Sequence, residues 1–308
     1  MKISVIGCGY LGAVHAASMA ELGHEVIGID VDPIRIESLQ SGVAPFHEPG
    51  FDELLQENSS RLTFTTEMAL VAEASVHFIA VGTPQSADGS ADMDYVNSAL
   101  EGLIPYLTEG NLVVGKSTVP VGTAERLAAT VAPTGAIVMW NPEFLREGFA
   151  VVDTLSPDRL VYGVPKGEAG EQATAILDAV YAAILAKDTP RLIMNFATAE
   201  LVKVAANSFL ATKISFINAM AEISDVTGAN VTQLADAIGY DARIGRRFLN
   251  AGIGFGGGCL PKDIRGFVAR AEELGVGHSL AFLKDVDDIN LRRRSRVVDI
   301  LTEELGSL

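Results

Sequence analysis

The first half of the chain alternates short apolar runs with amphipathic stretches of helical spacing. The apolar runs are continuous in Val, Ile and Phe, which is typical of parallel strands that are covered on both faces. They predict strands over 2–6, 25–30, 76–81, 112–116, 136–140 and 159–163. The stretches between them predict helices over 11–22, 33–40, 93–107 and 123–131. This alternation favours an α/β fold with a doubly wound, Rossmann-like parallel sheet.

After about Asn195 the pattern is helical throughout. Residues 198–227 contain neither Gly nor Pro, and their apolar residues recur at helical spacing until Gly228. Such a helix would be about 45 Å long, a length that often joins two domains or two subunits. Further helices are predicted over 231–238, 263–274 and 280–305. We therefore predict a Rossmann-like domain over 1–196 and a mainly helical domain with a long spine helix over 197–308.

Composition narrows the class of protein. The chain has 308 residues, with 23 basic and 39 acidic side chains and a formal charge of −16. This charge repels phosphate backbones and anionic lipids, so we expect no nucleic acid and no membrane partner. No apolar run is long enough for a membrane span, and two cysteines cannot form a disulfide framework. The expectation is a cytoplasmic enzyme or binding module.

A glycine motif at the end of the first predicted strand indicates a dinucleotide site. Gly7, Gly9 and Gly12 form G-x-G-x-x-G, which allows a tight turn, close approach to a pyrophosphate and helix packing. Asp30 ends the second strand about 20 residues later, where a carboxylate accepts the ribose hydroxyls and repels a 2′-phosphate. NAD is therefore favoured over NADP. Arg35 is either a further contact on the adenosine side or a solvated helix residue. The predicted cofactor contacts here are Gly7, Gly9, Tyr10, Leu11, Gly12, Asp30 and Arg35.

A second glycine-rich loop, residues 252–258, has five glycines in seven residues and leads into Cys259. Such a loop is tolerated where a ligand lies against the backbone. A lone cysteine is often a small buried apolar residue. Here Lys262 and Asp263 follow near a predicted helix start, where amides and a cation lower the pKa of a thiol, so a nucleophile is favoured. No metal site is indicated, because no second Cys or His lies at ligand spacing.

Polar residues also follow three of the predicted strands. Glu143 and Glu147 come after the strand that ends at Trp140, and the loops 81–84 and 116–120 follow two others. The carboxyl ends of parallel strands are where open α/β sheets bind ligands. On the predicted long helix, Lys203 and Asn207 are four residues apart and share one face. Together these loops outline the rim of a cleft.

These motifs resemble the UDP-glucose/GDP-mannose dehydrogenase family, and the resemblance runs through the whole chain. The motifs are GCGYLG at 7–12, VGTP at 81–84, KSTVPVGT at 116–123, NPEFLREG at 141–148, KVAANSF at 203–209 and FLNAGIGFGGGCLPKD at 248–263. The family oxidises the primary alcohol of a nucleotide sugar to a carboxylate and reduces two NAD. The resemblance therefore implies a four-electron oxidation, and FLNAGIGFGG favours UDP-glucose as the substrate and UDP-glucuronate as the product.

The resemblance also implies roles for single residues. Cys259 would capture the aldehyde as a thiohemiacetal, which is oxidised to a thioester and hydrolysed. Lys203 and Asn207 would stabilise the alkoxide or oxyanion, and Asp263 would act as a base or orient water. The implied catalytic set is Thr118, Glu143, Glu147, Lys203, Asn207, Cys259 and Asp263. The same resemblance leaves open which carboxylate is the base in each step.

Further contacts are implied for both ligands. For NAD, the implied contacts beyond the glycine motif are Gly82, Thr83, Ser117, Thr118, Glu147 and Lys262. For the sugar nucleotide they are Phe144, Leu145, Lys203, Asn207, Arg243, Phe248, Leu249, Asn250, Gly256 and Cys259. Arg243 resembles an arginine that reaches the sugar across a dimer interface, so a homodimer through the long helix is expected.

Two departures from the family pattern keep alternatives open. Gly258 and Leu260 flank the cysteine where the commonest family form has Ser and Phe, and the Leu form also occurs in GDP-mannose relatives. The substrate could thus be GDP-mannose or a UDP-N-acetyl sugar. The family also usually has a third domain that encloses the nucleotide, and we expect it to be absent here, which allows an inactive NAD-binding, dimerising fragment. A two-electron dehydrogenase of the 6-phosphogluconate type would use Lys203 and Asn207 without Cys259.

Overall fold

Eight strands form one twisted sheet in the N-terminal part of the chain. The computed structural model describes residues 1–306. The strands are β1 (Lys2–Ile6), β2 (Glu25–Ile29), β3 (Leu62–Thr65), β4 (Val76–Ile79), β5 (Leu112–Gly115), β6 (Ile137–Trp140), β7 (Leu160–Gly163) and β8 (Arg191–Met194). Their order is β3-β2-β1-β4-β5-β6-β7-β8. The order reverses at β1, so the carboxyl ends of β1 and β4 flank the switch point where such sheets bind ligands.

Twelve α-helices connect and follow these strands. They are α1 (Tyr10–Glu21), α2 (Pro33–Gln40), α3 (Phe51–Glu57), α4 (Asp94–Leu103), α5 (Thr123–Val131), α6 (Ala150–Leu155), α7 (Glu168–Val180), α8 (Ala182–Leu185), α9 (Phe196–Thr227), α10 (Val231–Gly239), α11 (Leu260–Glu273) and α12 (Phe282–Leu305), counted within the described residues. The Rossmann-like fold class and the long helix predicted from the sequence are confirmed. α2 begins as its sequence indicates, because the Asp32 side chain accepts hydrogen bonds from two backbone amides of its first turn.

Two features of the sheet differ from the prediction. β6 and β7 pair antiparallel through Trp140 and Gly163, so the sheet is not wholly parallel. The sequence also did not indicate β3 and β8, which are the two edge strands. Edge strands are less covered than central ones, so they lack the continuous apolar run that predicts a buried strand.

The sheet has an apolar core on each face. Successive side chains of a strand point to opposite faces, so Val113 and Val114 of β5 belong to different clusters. One cluster includes Leu177 of α7 and the buried face of α1, and the other includes Leu100 of α4 and Leu127 of α5. Because both faces are covered, the loops at the strand ends are the parts of the sheet that can meet a ligand.

The chain divides into two compact units. The first comprises Met1–Pro84 and Asp92–Lys203, and the second comprises Gln85–Ala91 and the residues from Val204 onward. In the second unit Ala211 of α9 packs in a cluster with residues of α11 and α12, among them Ile264 and Leu283. The division falls inside α9, and the domain boundary at 196/197 stays a prediction. Across the described residues we find no helix with the length and apolarity to cross a bilayer.

Candidate functional site

The glycine turn after β1 leaves an open cradle. Gly7 has a φ of +90°, and a Cβ there would lie 2.7 Å from Cγ1 of Val81. A Cβ on Gly12 would lie 1.7 Å from the Gly7 carbonyl oxygen, so α1 can approach the turn only with glycine at this position. At Gly9 nothing lies within 4 Å of the Cβ position. This open side beside the N-terminus of α1 fits the pyrophosphate of a dinucleotide.

Asp30 holds the turn from the neighbouring strand. Its carboxylate accepts hydrogen bonds from the amides of Cys8 (2.7 Å) and Asp32 (3.0 Å). Arg35 Nη1 lies 2.9 Å from both carboxylate oxygens. The structure thus pairs Asp30 with Arg35, which the sequence left as either an adenosine-side contact or a solvated helix residue. Cys8 packs in the core, and burial raises the pKa of its thiol.

The loops after β4 and β5 are tied to each other. Ser117 Oγ donates to the Val81 carbonyl at 2.7 Å, and Thr83 Oγ1 donates to the Thr118 carbonyl at 2.8 Å. Gly82 lies between these contacts and has open space around its Cβ position. All these predicted NAD-contacting residues therefore lie at the carboxyl edge of the sheet, in the first unit. Together with the glycine cradle, they fit an extended dinucleotide.

The loop after β6 carries the paired glutamates. Glu143 Oε1 forms an ion pair of 2.9 Å with Lys203 Nζ, and both side chains are largely buried. The other oxygen of the Glu143 carboxylate accepts a hydrogen bond from the Leu145 backbone amide at 2.8 Å. The Phe144 ring contacts the Lys203 ammonium, 5.6 Å from its centroid. Glu147 is exposed. The sequence indicated both Glu143 and Lys203, and only the fold shows that they are paired.

Glu48, which no motif of the sequence indicated, clamps this loop. Its carboxylate accepts the amides of Gly148 (2.9 Å) and Ala150 (2.8 Å) and the hydroxyl of Tyr10. Burial raises the pKa of the Tyr10 phenol, and its hydrogen bond to Glu48 acts in the same direction. Glu48 thereby links the first helix to the glutamate loop. No local pattern around Glu48 signals this role, because its partners lie about 40 and 100 residues away along the chain.

In the second unit the first turn of α11 carries the predicted chemistry. Cys259 is the N-cap of α11 and is exposed. Asp263 is buried, and its Oδ2 accepts the Asn207 amide at 2.7 Å. Its Oδ1 accepts from Lys262 Nζ at 2.6 Å. The structure therefore assembles four of the predicted residues of this unit around one helix end, where the helix dipole favours negative charge.

The glycine-rich loop 252–258 is fixed by two buried asparagines. Asn290 accepts the Phe255 amide at 2.7 Å and donates to the Phe255 carbonyl at 2.9 Å. A Cβ on Gly254, which has a φ of +99°, would lie 2.2 Å from Asn290 Oδ1. Asn218 accepts the Gly252 amide at 2.9 Å. The sequence did not indicate either asparagine, whereas the loop glycines, including Gly256, were apparent.

The remaining predicted substrate residues differ in exposure. Arg243 is highly exposed and pairs with Asp241. Leu249 is buried and packs with Ile217, so its side chain belongs to the core of the second unit. Asn250 accepts from Arg246 at 2.8 Å. Their roles, and that of Phe248, stay predictions. No group of three or more His, Cys, Asp or Glu in the described part of the chain could hold a metal ion.

Comparison with known proteins identifies both parts of the chain. Residues 1–185 match the NAD-binding domain of the UDP-glucose/GDP-mannose dehydrogenase family, and residues 197–292 match its central domain. UDP-glucose 6-dehydrogenase TuaD of Bacillus subtilis is 42% identical over 315 residues, covering 100% of this chain and 66% of its own length.

Solved structures agree. A UDP-glucose dehydrogenase from the archaeon Pyrobaculum islandicum has a TM-score of 0.92 at 42% identity, covering 100% of this chain and 72% of its own. A GDP-mannose dehydrogenase from Pseudomonas aeruginosa has a TM-score of 0.74 at 32% identity, covering 98% and 71%. The predictions of the family and of NAD as its cofactor are confirmed. This chain belongs to the UDP-glucose/GDP-mannose dehydrogenase family, and its Rossmann-like part is the family's NAD-binding domain.

Proposed function

We propose that the chain carries an NAD-dependent, four-electron oxidation of UDP-glucose to UDP-glucuronate. The observation that carries this proposal lies at the N-terminus of α11. There an exposed Cys259 and a buried Asp263 share one helical turn, and Asp263 accepts a hydrogen bond from Asn207. An oxidation of two electrons needs no such thiol. The names of relatives at 42% identity, UDP-glucose 6-dehydrogenases, support the same substrate.

In the first oxidation the sugar C6 alcohol becomes an aldehyde. The hydroxyl proton leaves to a carboxylate, and the Lys203 ammonium stabilises the developing alkoxide. The ion pair with Glu143 holds that ammonium in place, at a buried position where its field is weakly screened. NAD, when bound at the glycine cradle, takes up one hydride in each of the two oxidations.

In the second oxidation Cys259 acts as the nucleophile. Its sulfur adds to the aldehyde carbon and the carbonyl oxygen takes a proton, giving a thiohemiacetal. That carbon then loses a hydride and its hydroxyl loses a proton, which leaves a thioester. Water adds to the thioester, the C–S bond breaks, and the carboxylate and the thiol are released. Asp263 and Asn207, which are hydrogen-bonded to each other, orient the water and stabilise the developing oxyanion in this proposal.

Product stoichiometry tests the proposal. Two NADH per UDP-glucose consumed, with UDP-glucuronate as the product, are expected from the protein that contains this chain. A yield of one NADH with an aldehyde or keto product would refute the four-electron reaction. Parallel assays with GDP-mannose and a UDP-N-acetyl sugar decide the substrate, since both classes occur among the structural relatives.

Trapping the acyl-enzyme tests the thiol. Cys259→Ser is expected to bind NAD normally and to release no UDP-glucuronate. Cys8→Ser is the matched control, because Cys8 is buried and its sulfur faces the core. A mass increase that corresponds to the bound acyl sugar is expected on Cys259 in the control. Normal turnover by Cys259→Ser would exclude the covalent route.

A homodimer through α9 is part of the same proposal. Phe209, Phe216 and Ile223 are exposed at intervals of seven residues along α9, so they form one apolar stripe. Sedimentation is expected to give a dimer for the native chain and a monomer for Phe216→Glu. Lys187→Glu, an exposed charge change outside α9, is expected to leave the dimer intact. A monomeric native chain at micromolar concentration would contradict this assignment.

A further inference from the structure

The first unit contains a buried ammonium that the proposed mechanism does not use. Lys116 follows β5 and is 6% exposed. Its Nζ donates to Asn141 Oδ1 at 3.0 Å and lies 3.4 Å from the Asn141 carbonyl oxygen. Within residues 1–306 no carboxylate oxygen lies within 4 Å of this nitrogen. A buried charge that has only neutral hydrogen-bond partners is costly, so its presence calls for a function.

Asn141 does not need this charge to keep its place. Its Nδ2 donates to the Val161 carbonyl at 2.9 Å, and the Tyr181 hydroxyl donates to its Oδ1 at 2.9 Å. Its backbone N–H donates a hydrogen bond to the Gly115 carbonyl at 2.8 Å. The asparagine is therefore fixed from three other directions, and a neutral side chain at position 116 would satisfy the packing equally well.

The charged and titratable groups around Lys116 come from several elements. Glu143, in the loop after β6, attracts the ammonium, and Lys203 of α9 repels it. His15 of α1 is buried, neither of its ring nitrogens has a partner in the described part of the chain, and burial holds its pKa well below the ordinary value. Tyr181 is neutral, because burial raises the pKa of its phenol. Among the described residues, Glu143 is thus the anion that attracts the Lys116 ammonium.

We propose that Lys116 is a positioning residue for the oxidation: its buried ammonium is a second cation that holds the Glu143 carboxylate, and through it Lys203, in the reactive arrangement. This inference rests on the proposed function. Asn141 and Glu143 are two residues apart on one loop, so the ammonium that binds the loop start also acts on its carboxylate. Burial lowers the pKa of Lys116 to about 8, so the second cation disappears in mild alkali.

The Leu145 amide reports on Glu143 without any turnover, because it donates to Glu143 Oε2. Its exchange with deuterium is expected to rise about tenfold in Lys116→Met and Lys116→Gln, the effect of weakening one hydrogen bond to a charged group. Lys116→Arg keeps the charge and is expected to exchange like the native chain. The Gly148 amide, held by Glu48, is the internal control and is expected to stay unchanged.

The native chain offers the same test without substitution. After correction for base catalysis, exchange at Leu145 is expected to rise as pH passes about 8, and exchange at Gly148 is not. If the exchange rates of Leu145 and Gly148 rise equally in the variants, the inference is overturned. It is also overturned if the Leu145 exchange rate rises neither in the native chain above pH 8 nor in the neutral variants.

Kinetics then connect Lys116 to the reaction. The native protein is expected to lose kcat above pH 8, where Lys116 loses its charge. In the Met and Gln variants kcat is expected to be lower by about tenfold or more, with little change in KM, and to show no further fall above that pH. Lys116→Arg is expected to restore kcat and to keep it above that pH. A native protein that oxidises no nucleotide sugar would refute the proposed function, and the Leu145 exchange would still decide whether Lys116 positions Glu143. Unchanged kcat in both neutral variants would overturn the role of Lys116 alone.

Discussion

Replacing Lys116 by methionine is expected to stabilise the chain at neutral pH and to destabilise it in alkali. Methionine fills nearly the same volume as the lysine stem and carries no charge. In the folded chain burial lowers the pKa of Lys116 from 10.5 to about 8. One pKa unit corresponds to about 1.4 kcal/mol, so keeping this ammonium at pH 7 costs the folded state about 3 kcal/mol.

The sign follows from the order of the two pKa values. Below pH 8 the lysine is protonated in the folded and the unfolded chain, and the full cost is present. Between pH 8 and 10.5 the unfolded chain binds more protons, so native stability rises with pH and the cost disappears. Methionine also loses the hydrogen bonds to Asn141, roughly 1 kcal/mol at every pH. The variant is therefore expected to be about 2 kcal/mol more stable than the native chain at pH 7 and about 1 kcal/mol less stable near pH 10.5.

Urea unfolding followed by tryptophan fluorescence measures this difference. Trp140 is the single tryptophan of the chain and lies buried at the end of β6, in the same unit as Lys116. Lys187→Met, at an exposed lysine of that unit, is the matched control and is expected to change stability equally at both pH values. A methionine variant that is less stable than the native chain at pH 7, or an equal difference at pH 7 and 10.5, would refute the reasoning.

Four further substitutions test the rest of the site. Gly12→Ala is expected to lower both the stability of the chain and its NAD affinity, because the new Cβ would lie 1.7 Å from the Gly7 carbonyl oxygen. Gly9→Ala is expected to leave the stability unchanged and to lower NAD affinity, because the space at Gly9 is open in the folded chain. Calorimetry of NAD binding and urea unfolding separate the two outcomes. Glu48→Gln is expected to lose roughly 1–3 kcal/mol of stability, because one amide oxygen cannot replace the two carboxylate oxygens that accept hydrogen bonds from the loop amides. Glu57→Gln, at an exposed position, is the control and should show no loss in the same unfolding assay. Asn290→Ala is expected to speed amide exchange in the glycine-rich loop by tenfold or more, and unchanged exchange would contradict its role as a clamp.

The glycine turn after β1 and the carboxylate beside it were predictable from the sequence. Gly7 and Gly12 are required by local geometry, since a turn at positive φ and a close helix approach exclude side chains there, and Gly9 completes the G-x-G-x-x-G spacing. Asp30 follows at a spacing that a strand–helix–strand unit determines. The sequence also indicated Cys259, because it adjoins a glycine-rich loop and a helix start. These signals are local, so one chain segment contains each of them.

The partners of those residues were not predictable. The pairs Glu143–Lys203 and Asn207–Asp263 join positions about 60 residues apart, and Glu48 reaches Gly148 about 100 residues away. Leu249, a motif residue assigned to the substrate, has its side chain packed in the core, and its role stays a prediction. Burial of that side chain depends on packing against another helix, which no local pattern contains.

The sequence by itself determined the fold class, the order of the strand–helix units, the glycine cradle and the cysteine at a helix start. Each of these follows from hydrophobic periodicity or from backbone conformations that only certain residues adopt. Tertiary structure decided the antiparallel pairing of β6 with β7, the clamp by Glu48 and the placement of Lys116 beside Asn141. Those features depend on distant segments meeting in a medium of low polarity. There a charge such as that of Lys116 has a changed pKa and acts over a longer range than it does in water.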